Sequence, residues 1–261
     1  MPYYVLFDTE TTGNQEEDRV IQFGAMVVDK SGKVEAFDEL CSTDVAIKLE
    51  AMEVHNITPN LLVGKLKAIE TNFYKKLEEL NSNENFLIAH NISFDLAMIN
   101  KEGFVNQYQL IDTLRCAKHL FPELPYHRLQ YIRYALELYK VEELEASKHN
   151  ITIKAHDAIG DVLVMKLFLS KLVGKCREIY PDYNPIEKLT DLTKTPVFIQ
   201  TFKFGKYKGK DVEQVAKEDA GYLNWMRTNM ELDEDMKYTL DKVLKIWFET
   251  LFTIIQYTAR Y

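Results

Sequence analysis

The sequence has few cysteines, and their spacing does not suggest a disulfide framework or a metal motif. Three cysteines occur in 261 residues, Cys41, Cys116 and Cys176, and no two of them form a Cys-x-x-Cys pair. An odd number without paired spacing argues against disulfide bonds and against a zinc site. We therefore expect a protein of a reducing compartment, the cytoplasm.

The sequence also lacks a long apolar run. No charged segment followed by an apolar core opens the chain, since Phe7-Asp8 already ends the first apolar run. The nearest approach to a membrane segment, Val243 to Tyr257, is short and contains Lys245 and Glu249. This pattern indicates a packed helix, and we expect no membrane partner.

An excess of positive charge is missing as well, because the net charge is −8. The charge is unevenly distributed, since residues 201–261 contain ten basic and ten acidic side chains. Four lysines and no acid lie between Phe202 and Lys210, where they alternate with aromatic residues. Net charge therefore argues only weakly against a nucleic-acid partner.

Apolar runs alternate with helical patterns along most of the chain. The order begins with a hairpin, because a turn at Asp29 to Lys33 separates two runs with strand character. Strands alternating with helices after such a hairpin predict an α/β fold with a mixed sheet covered on both faces. The predicted strands are 3–8, 19–29, 34–41, 86–89 and 110–113.

The chain divides into two predicted domains. Tyr180 to Pro196 contains prolines and little periodicity, which is typical of a linker. We predict a first domain at 1–178, a linker at 179–198 and a small C-terminal domain at 199–261. The last domain holds a Gly/Lys turn and two helices, about Val212 to Asn229 and Asp233 to Tyr257.

The first predicted strand ends in acids, in the sequence YYVLFDTETTG at 3–13. Asp8 and Glu10 are two residues apart, and side chains at i and i+2 of a strand share one face. Two carboxylates held this close repel each other, and each resists losing its water. A cation between them would remove the conflict.

Two later motifs also place acids where strands end and helices begin. These are AHNISFD at 89–95, which ends in Asp95, and HDAIGD at 156–161, which ends in Asp161. In α/β sheets, sites gather at such positions. Hard oxygen ligands suit Mg²⁺ or Mn²⁺, and two such ions about 3.5–4 Å apart can clamp a phosphodiester in hydrolysis. His156, on the loop entering a helix, has the chemistry of a general base.

The three motifs, in this order, resemble the DEDD exonucleases of the ribonuclease H-like fold, histidine branch. Segments 51–58, 111–122 and 127–130 share the resemblance. It implies a ribonuclease H-like mixed sheet flanked by helices, two divalent ions, Mg²⁺ or Mn²⁺, and 3′→5′ release of nucleoside 5′-monophosphates. The implied metal ligands are Asp8, Glu10, Asp95 and Asp161, and His156 is the implied general base.

The resemblance also implies substrate contacts. Thr11 and Thr12 would place donors near the terminal nucleotide, His55 would line the pocket for the last base or sugar, and Asn91 and Phe94 would complete it. The tail at 201–226 resembles the C-terminal module of the exodeoxyribonuclease X group within that family. In this tail we assign Lys206 and Lys208 to nucleic acid, with Phe202 and Phe204 facing inward.

One loop departs from the family pattern. Related enzymes can place an apolar wedge after the first motif to split a duplex end, whereas here Asn14 to Asp18 contains three acids and no apolar residue. Acids repel phosphates, so we expect blunt duplex to be attacked less well than single strands. The tyrosines at 126, 131, 134 and 139 are expected to pack rather than to bind bases.

Several functions stay open at this point. The leading interpretation is a 3′→5′ exodeoxyribonuclease acting in DNA repair or recombination, with DNA favoured over RNA. The alternatives are an exoribonuclease, a polymerase proofreading subunit, a magnesium phosphatase, and a nucleic-acid-binding protein without activity. No residue in the sequence can be assigned to recognition of the 2′-hydroxyl of RNA, so the sequence does not decide between RNA and DNA. The oligomeric state, monomer or homodimer, also stays open.

Overall fold

The protein forms two compact units, residues 1–193 and 194–261. The computed structural model describes residues 2–152 and 157–258, and side chains within this part up to residue 246. The N-terminal unit ends within the segment predicted as a linker.

A five-stranded mixed sheet forms the centre of the N-terminal unit, in the spatial order β3-β2-β1-β4-β5. β1 pairs antiparallel with β2, and β2 with β3, so the predicted hairpin is confirmed. β1 is parallel to β4, and β4 is parallel to β5. The strands are β1 (Tyr4–Thr11), β2 (Val20–Val28), β3 (Val34–Leu40), β4 (Phe86–Ala89) and β5 (Gln109–Asp112).

Helices cover both faces of this sheet. Val5 and Phe7 of β1 pack with one helical layer, and Leu6 packs with the other, because alternate side chains of a strand point to opposite faces. This arrangement explains the unbroken apolar run that begins the chain. The helices of this unit are α1 (Leu49–His55), α2 (Pro59–Leu62), α3 (Asn72–Glu79), α4 (Ile92–Lys101), α5 (Thr113–Leu120), α6 (Leu129–Ala135), α7 (Tyr139–Lys148), α8 (Ala158–Ile179) and α9 (Pro185–Lys194).

Helix α8 begins directly against the backbone of β2. A Cβ atom at Gly24 would lie 2.2 Å from the carbonyl carbon of Ala158 and 2.3 Å from the nitrogen of Ile159. Only glycine permits this approach. Since Gly24 is the partner of Asp8 in the β1–β2 ladder, the start of α8 is fixed close to the first motif.

The predicted linker at 179–198 is wrong over much of its length. It contains α9, whose Leu189 and Leu192 are buried in the core beside α8. The hydroxyl of Thr193 accepts a hydrogen bond of 2.8 Å from the backbone nitrogen of Asp112. The signal was present in the spacing of Leu189 and Leu192, but the flanking prolines obscured it.

The C-terminal unit is a small helical core. Its helices are α10 (Val212–Glu218), α11 (Ala220–Asn229) and α12 (Glu234–Thr258). The single helix expected from Val212 to Asn229 is therefore two, separated at Asp219, whose side chain accepts a hydrogen bond from the backbone nitrogen of Tyr222. Phe202 is 1% exposed, as expected, whereas the inward orientation expected for Phe204 is wrong, because it is 42% exposed.

All three cysteines are free and buried. Within residues 2–152 and 157–258, no helix is long and apolar enough to cross a membrane.

Candidate active site

The first motif lies where β1 leaves the sheet. Asp8 and Glu10 are aligned with Gly24 and Gln22 of β2, and the register shifts between Glu10 and Thr11. Both acids are partly exposed, and Thr9 between them is buried. As predicted from their spacing, the two carboxylates leave the strand on one face.

Asp95 joins them from the first turn of α4, although it lies far away in sequence. Its side chain is 2% exposed, and one carboxylate oxygen, Oδ1, accepts two hydrogen bonds from Thr9. The backbone nitrogen donates at 3.0 Å and the hydroxyl at 2.8 Å. The strand therefore fixes the orientation of the helical carboxylate, and Oδ2 remains for another partner.

The turn before α4 contains a residue in the left-handed conformation. Asn91, at the N-cap position, has φ 73° and ψ 52°, and its side chain makes no capping hydrogen bond. Its backbone nitrogen donates to Oδ1 of Asp112 at 3.0 Å. Asn91 is exposed, whereas Phe94 is partly buried against the core beside α4. Asparagine tolerates this backbone region better than most residues.

The third motif supplies acids from the start of α8. Asp161 lies in the first turn of α8, and its Oδ1 accepts a hydrogen bond of 2.6 Å from Nε2 of Gln130. Asp157, at the N-cap position, accepts one of 2.8 Å from Nε2 of Gln22. The predicted general base, His156, lies outside the described residues.

Electrostatic effects show that these carboxylates belong to one site. Burial, followed by repulsion from Asp161, Asp95 and Asp157, raises the pKa of Glu10 to about 8. Burial raises the pKa of Asp95 to about 7, against the hydrogen bonds from Thr9 that lower it. Burial, followed by repulsion from Asp95, Glu10 and Asp161, also raises the pKa of Asp8 well above its usual value. Such shifts mark a site built for positive charge.

The donor set fits divalent cations, because it consists of carboxylate oxygens, the hard ligands that Mg²⁺ and Mn²⁺ prefer. Within residues 2–152 and 157–258, no three Asp, Glu, His or Cys side chains are arranged so that they could hold a metal ion without moving. Asp161 is held instead by Gln130. Binding of a cation would therefore require small side-chain rotations, for which carboxylates at the partly exposed edge have room.

The threonines after the first motif have different environments. The hydroxyl of Thr11 donates to the carbonyl oxygen of Gly13 at 2.7 Å. Thr12 is fully buried, its hydroxyl donates to Asp18 at 2.8 Å, and its backbone nitrogen donates to the carbonyl of Arg19. The side chain and amide of Thr12 thus stabilise the loop, so the structure does not present them to a nucleotide as expected.

His55, at the end of α1, is brought close to the first motif. It is 6% exposed, and its Nδ1 accepts a hydrogen bond of 2.9 Å from the backbone nitrogen of Ile57. Burial lowers its pKa, and the neighbouring Thr11 backbone opposes that effect. Nε2 is buried without a hydrogen bond of good geometry in the described structure. A neutral ring with a free N–H is suited to donate to a ligand.

The two lysines assigned to nucleic acid lie in the C-terminal unit. The ammonium of Lys206 lies 3.0 Å from a carboxylate oxygen of Asp219, whereas Lys208 is exposed on the same turn. Their role in substrate binding remains a prediction.

The acidic loop at 14–18 is less repulsive than its composition implies. Asp18 is buried and forms an ion pair of 2.6 Å with Lys48, which also contacts Glu17 at 3.0 Å. Lys101 donates to the carbonyl of Gln15 at 2.6 Å. Asp18 is therefore not available to repel a phosphate, and Lys48 partly balances the charge of Glu17.

Three of the four tyrosines expected to pack are exposed. Tyr126, Tyr134 and Tyr139 are 55%, 59% and 42% exposed, so they are not core residues, although Tyr126 packs against Tyr131 and Tyr134 against Tyr139, with ring centres 5.4 and 5.7 Å apart. Arg128 lies over the ring of Tyr126, with 5.0 Å from its guanidinium carbon to the ring centre. Cation–π contacts of this kind replace core packing here.

Two polar residues of the site are not among the predicted site residues, although Gln130 lies in segment 127–130, which shares the family resemblance. Gln22 was recognisable only through the β1–β2 register, which places it opposite Glu10. Gln130 lies 31 positions from the acid it contacts. Both donate hydrogen bonds to carboxylates, and such partners orient metal ligands.

We expect Gln130→Ala to raise the Mg²⁺ concentration for half-maximal activity by about tenfold, because Asp161 loses the donor that orients it. Metal titrations of nuclease activity measure this effect. Gln214→Ala, on an exposed helix of the C-terminal unit, is the control. An unchanged metal requirement would show that Gln130 does not position Asp161.

Comparisons with known proteins assign the chain to a family. A family model described as Exonuclease matches residues 5–168, and one described as Exodeoxyribonuclease X-like C-terminal matches residues 202–231. Exodeoxyribonuclease 10 of Escherichia coli (strain K12) is 26% identical over 243 residues, which cover 92% of this chain and 98% of that protein. DNA polymerase III subunit epsilon of Treponema pallidum (strain Nichols) is 30% identical over 185 residues, covering 67% of this chain and 79% of that protein.

A solved structure shares the fold of the chain. Exonuclease X in complex with 5′ overhanging duplex DNA superposes with a TM-score of 0.51 at 20% identity, and the match covers 73% of this chain and 99% of that one. The likeness confirms the predicted ribonuclease H-like mixed sheet with flanking helices.

Proposed function

This chain belongs to the exonuclease family, and from that premise we propose that it removes nucleoside 5′-monophosphates from the 3′ ends of DNA. The observation that carries the proposal is the convergence of acids from β1, α4 and α8, supported by the hydrogen bonds from Thr9 to Asp95 and by the close approach of the start of α8 to Gly24, the ladder partner of Asp8. The near full-length similarity to exodeoxyribonuclease 10 supports DNA as the substrate.

The proposed metal ligands are Asp8, Glu10, Asp95 and Asp161, and the proposed cofactors are two Mg²⁺ or Mn²⁺ ions. When bound, these ions would neutralise charge on the phosphodiester and help to activate water. The chain contributes orientation. Thr9 fixes one oxygen of Asp95, and Gln130 holds Asp161.

His156 is the proposed general base. In the sequence it directly precedes Asp157, the N-cap residue of α8, and Asp161 lies in the first turn of that helix. An imidazole titrates near neutrality and can accept the proton of the attacking water. In this proposal the leaving group is the 3′ oxygen of the shortened strand.

His55, Thr11, Asn91 and Phe94 are the proposed contacts of the terminal nucleotide. The structural support for such a contact is strongest for His55, because its buried Nε2–H lies beside the backbone of Thr11 and lacks a well-formed partner within the described residues. Lys206 and Lys208 of the C-terminal unit are proposed to contact the strand further from its end.

A proofreading subunit is the second candidate, because the polymerase III epsilon relative has the higher identity, 30% against 26%. The match of residues 202–231 to an exodeoxyribonuclease X-like module favours a free-standing exonuclease. We propose repair or recombination in the cytoplasm as its setting, which the free buried cysteines fit.

The proposal is tested with 5′-labelled DNA as single strand, 3′-recessed duplex and blunt duplex, together with RNA of the same sequence. We expect metal-dependent shortening from the 3′ end of DNA, with blunt duplex the poorest DNA substrate. His156→Gln should lower the rate about 10²–10⁴-fold, because the base is lost while the carboxylates remain.

Calorimetric Mn²⁺ binding to His156→Gln is the control, and it should match the wild type. Preferential shortening of RNA would show that RNA, and not DNA, is the substrate. Release of inorganic phosphate instead of mononucleotides would contradict the exonuclease proposal itself.

A further inference from the structure

The C-terminal unit carries a group of aromatic and basic side chains at its surface, of which the proposed function uses Lys206 alone. We call it the aromatic–lysine surface and define it by Lys206, Tyr207, Lys210, Tyr222 and Trp225. Four lysines and no acid occur between Phe202 and Lys210. Each of these lysines is exposed.

The rings of this surface form a continuous series. Trp225 stacks on Tyr222, with ring centres 5.8 Å apart and an angle of 25° between their planes. Tyr222 meets the edge of Tyr207 at 5.2 Å. The ammonium of Lys206 lies 4.7 Å from the centre of the Tyr207 ring and 5.4 Å from that of Tyr222.

Asp219 accepts hydrogen bonds from three residues of this surface. One of its carboxylate oxygens accepts hydrogen bonds from the hydroxyl of Tyr207 at 2.7 Å and from Lys206 at 3.0 Å. The other accepts from the backbone nitrogen of Tyr222 at 3.0 Å. The ring positions are therefore set before any ligand arrives, which reduces the ordering cost of binding.

Packing of the core does not explain Trp225. Its neighbours on α11, Leu223 and Met226, are 0% and 1% exposed and belong to the core of this unit. Trp225 is 51% exposed and lies outside that core. Tryptophan is the largest apolar surface that a side chain offers, and an exposed tryptophan on an ordered stack indicates a binding role.

Aromatic rings interleaved with lysines match single-stranded nucleic acid. Unpaired bases stack on such rings whatever their sequence, and ammonium groups follow the phosphates. We infer that the aromatic–lysine surface is a second nucleic-acid site, which binds a single strand by stacking bases on Trp225 and pairing phosphates with the lysines of the adjoining turn.

The existing ion pairs do not prevent this binding. Lys206 pairs with Asp219 and Lys210 with Glu218, at 3.0 and 3.6 Å, and the lysine side chains are 60% and 51% exposed. Exposed pairs contribute little stability, so an ammonium can exchange a carboxylate for a phosphate at low cost. The choice of nucleic acid over a protein partner rests on the proposed function of the chain.

Tryptophan fluorescence tests the inference, since the chain has two tryptophans, Trp225 and Trp247. The full-length Trp247→Phe variant, which keeps Trp225 alone, is titrated with (dT)16 in EDTA so that no turnover occurs. We expect saturable quenching from base stacking. Trp225→Phe keeps Trp247 alone and should lose most of this signal.

Affinity and activity complete the test. By fluorescence anisotropy of labelled (dT)16, Trp225→Ala should bind about tenfold more weakly. Lys210→Gln should reduce the salt dependence by about 0.7 in the slope of log K against log salt. Hydrolysis of thymidine 5′-(4-nitrophenyl phosphate), which carries a single base, should be unchanged in all variants.

Absence of quenching in Trp247→Phe, with (dT)16 still digested when Mg²⁺ is added, would overturn the second site and leave the exonuclease proposal intact. Equal quenching by blunt duplex DNA would overturn base stacking as the mode of binding. Quenching by (dT)16 with no hydrolysis of either substrate would support the second site while the proposed function fails.

Discussion

Asp8→Asn is expected to abolish nuclease activity and at the same time to stabilise the metal-free protein. The carboxylate lies among Glu10, Asp95 and Asp161, and burial and repulsion raise its pKa. Asparagine keeps the shape but removes the charge that a divalent ion requires. We expect turnover to fall at least about a thousandfold, corresponding to loss of several kcal/mol of metal-assisted stabilisation.

The stability change should have the opposite sign. Without metal, the charge of Asp8 is unfavourable, so the neutral side chain should raise the free energy of unfolding by roughly 1–3 kcal/mol. Urea denaturation at pH 8 in EDTA measures this gain. Addition of Mg²⁺ should stabilise the wild type by mass action and the variant much less. Sites that favour function over stability behave in this way.

Asp182→Asn, at an exposed position outside the candidate site, provides the control. It should change stability by less than about 0.5 kcal/mol and leave activity intact. A metal-free Asp8→Asn protein that is less stable than the wild type would mean that repulsion does not dominate at Asp8. Retained activity would exclude Asp8 as a metal ligand.

Gly24→Ala is expected to give the largest structural effect of a single methyl group in this chain. The added carbon would lie 2.2 Å from one backbone atom of α8 and 2.3 Å from the next. Backbone cannot rotate away, so either α8 moves outward or β2 bends. We expect a loss of about 3 kcal/mol in the free energy of unfolding, at the upper end for overpacked sites.

Activity should fall further than stability explains. Displacement of α8 moves Asp157 and Asp161 relative to the acids of β1, and an error of 1 Å in a catalytic site can cost about a hundredfold in rate. Activity of the folded fraction at low temperature, together with denaturant unfolding, separates the two effects.

Gly174→Ala, in helix α8, is the matched control. A Cβ at Gly174 would meet no atom within 4 Å. Alanine is the better helix former, so this variant should gain about 0.5–1 kcal/mol. A Gly24→Ala protein with normal stability and activity would show that β2 and α8 are not in such close contact.

The comparison of sequence with structure separates local from distant information. The predicted bounds of β2, β3 and β4 agree nearly to the residue, because apolar runs and the Asp29–Lys33 turn are local patterns, whereas β1 continues to Thr11, three residues past its predicted end. The three acidic motifs were likewise visible, since each lies at the junction of a strand or loop with the next element.

The errors occurred where packing overrides local composition. The prolines that flank α9 predict a linker, yet Leu189 completes the core beside α8. Phe204 was placed inside by alternation, but the segment forms a turn with Gly205 at φ 72° instead of a regular ribbon. Thr12 was assigned to substrate, and the folded loop uses both its amide and its hydroxyl.

The sequence by itself determined the chemistry available to this protein: four carboxylates in three ordered motifs, a histidine beside the third, and a tail in which lysines alternate with rings. These are properties of neighbouring residues. Only the tertiary structure decided which groups meet. Thr9 holds Asp95 across 86 positions, Gln130 holds Asp161 across 31, and Gly24 allows α8 to reach β2. Such contacts depend on strand register and helix docking, which arise from the burial of the whole core and not from any short segment.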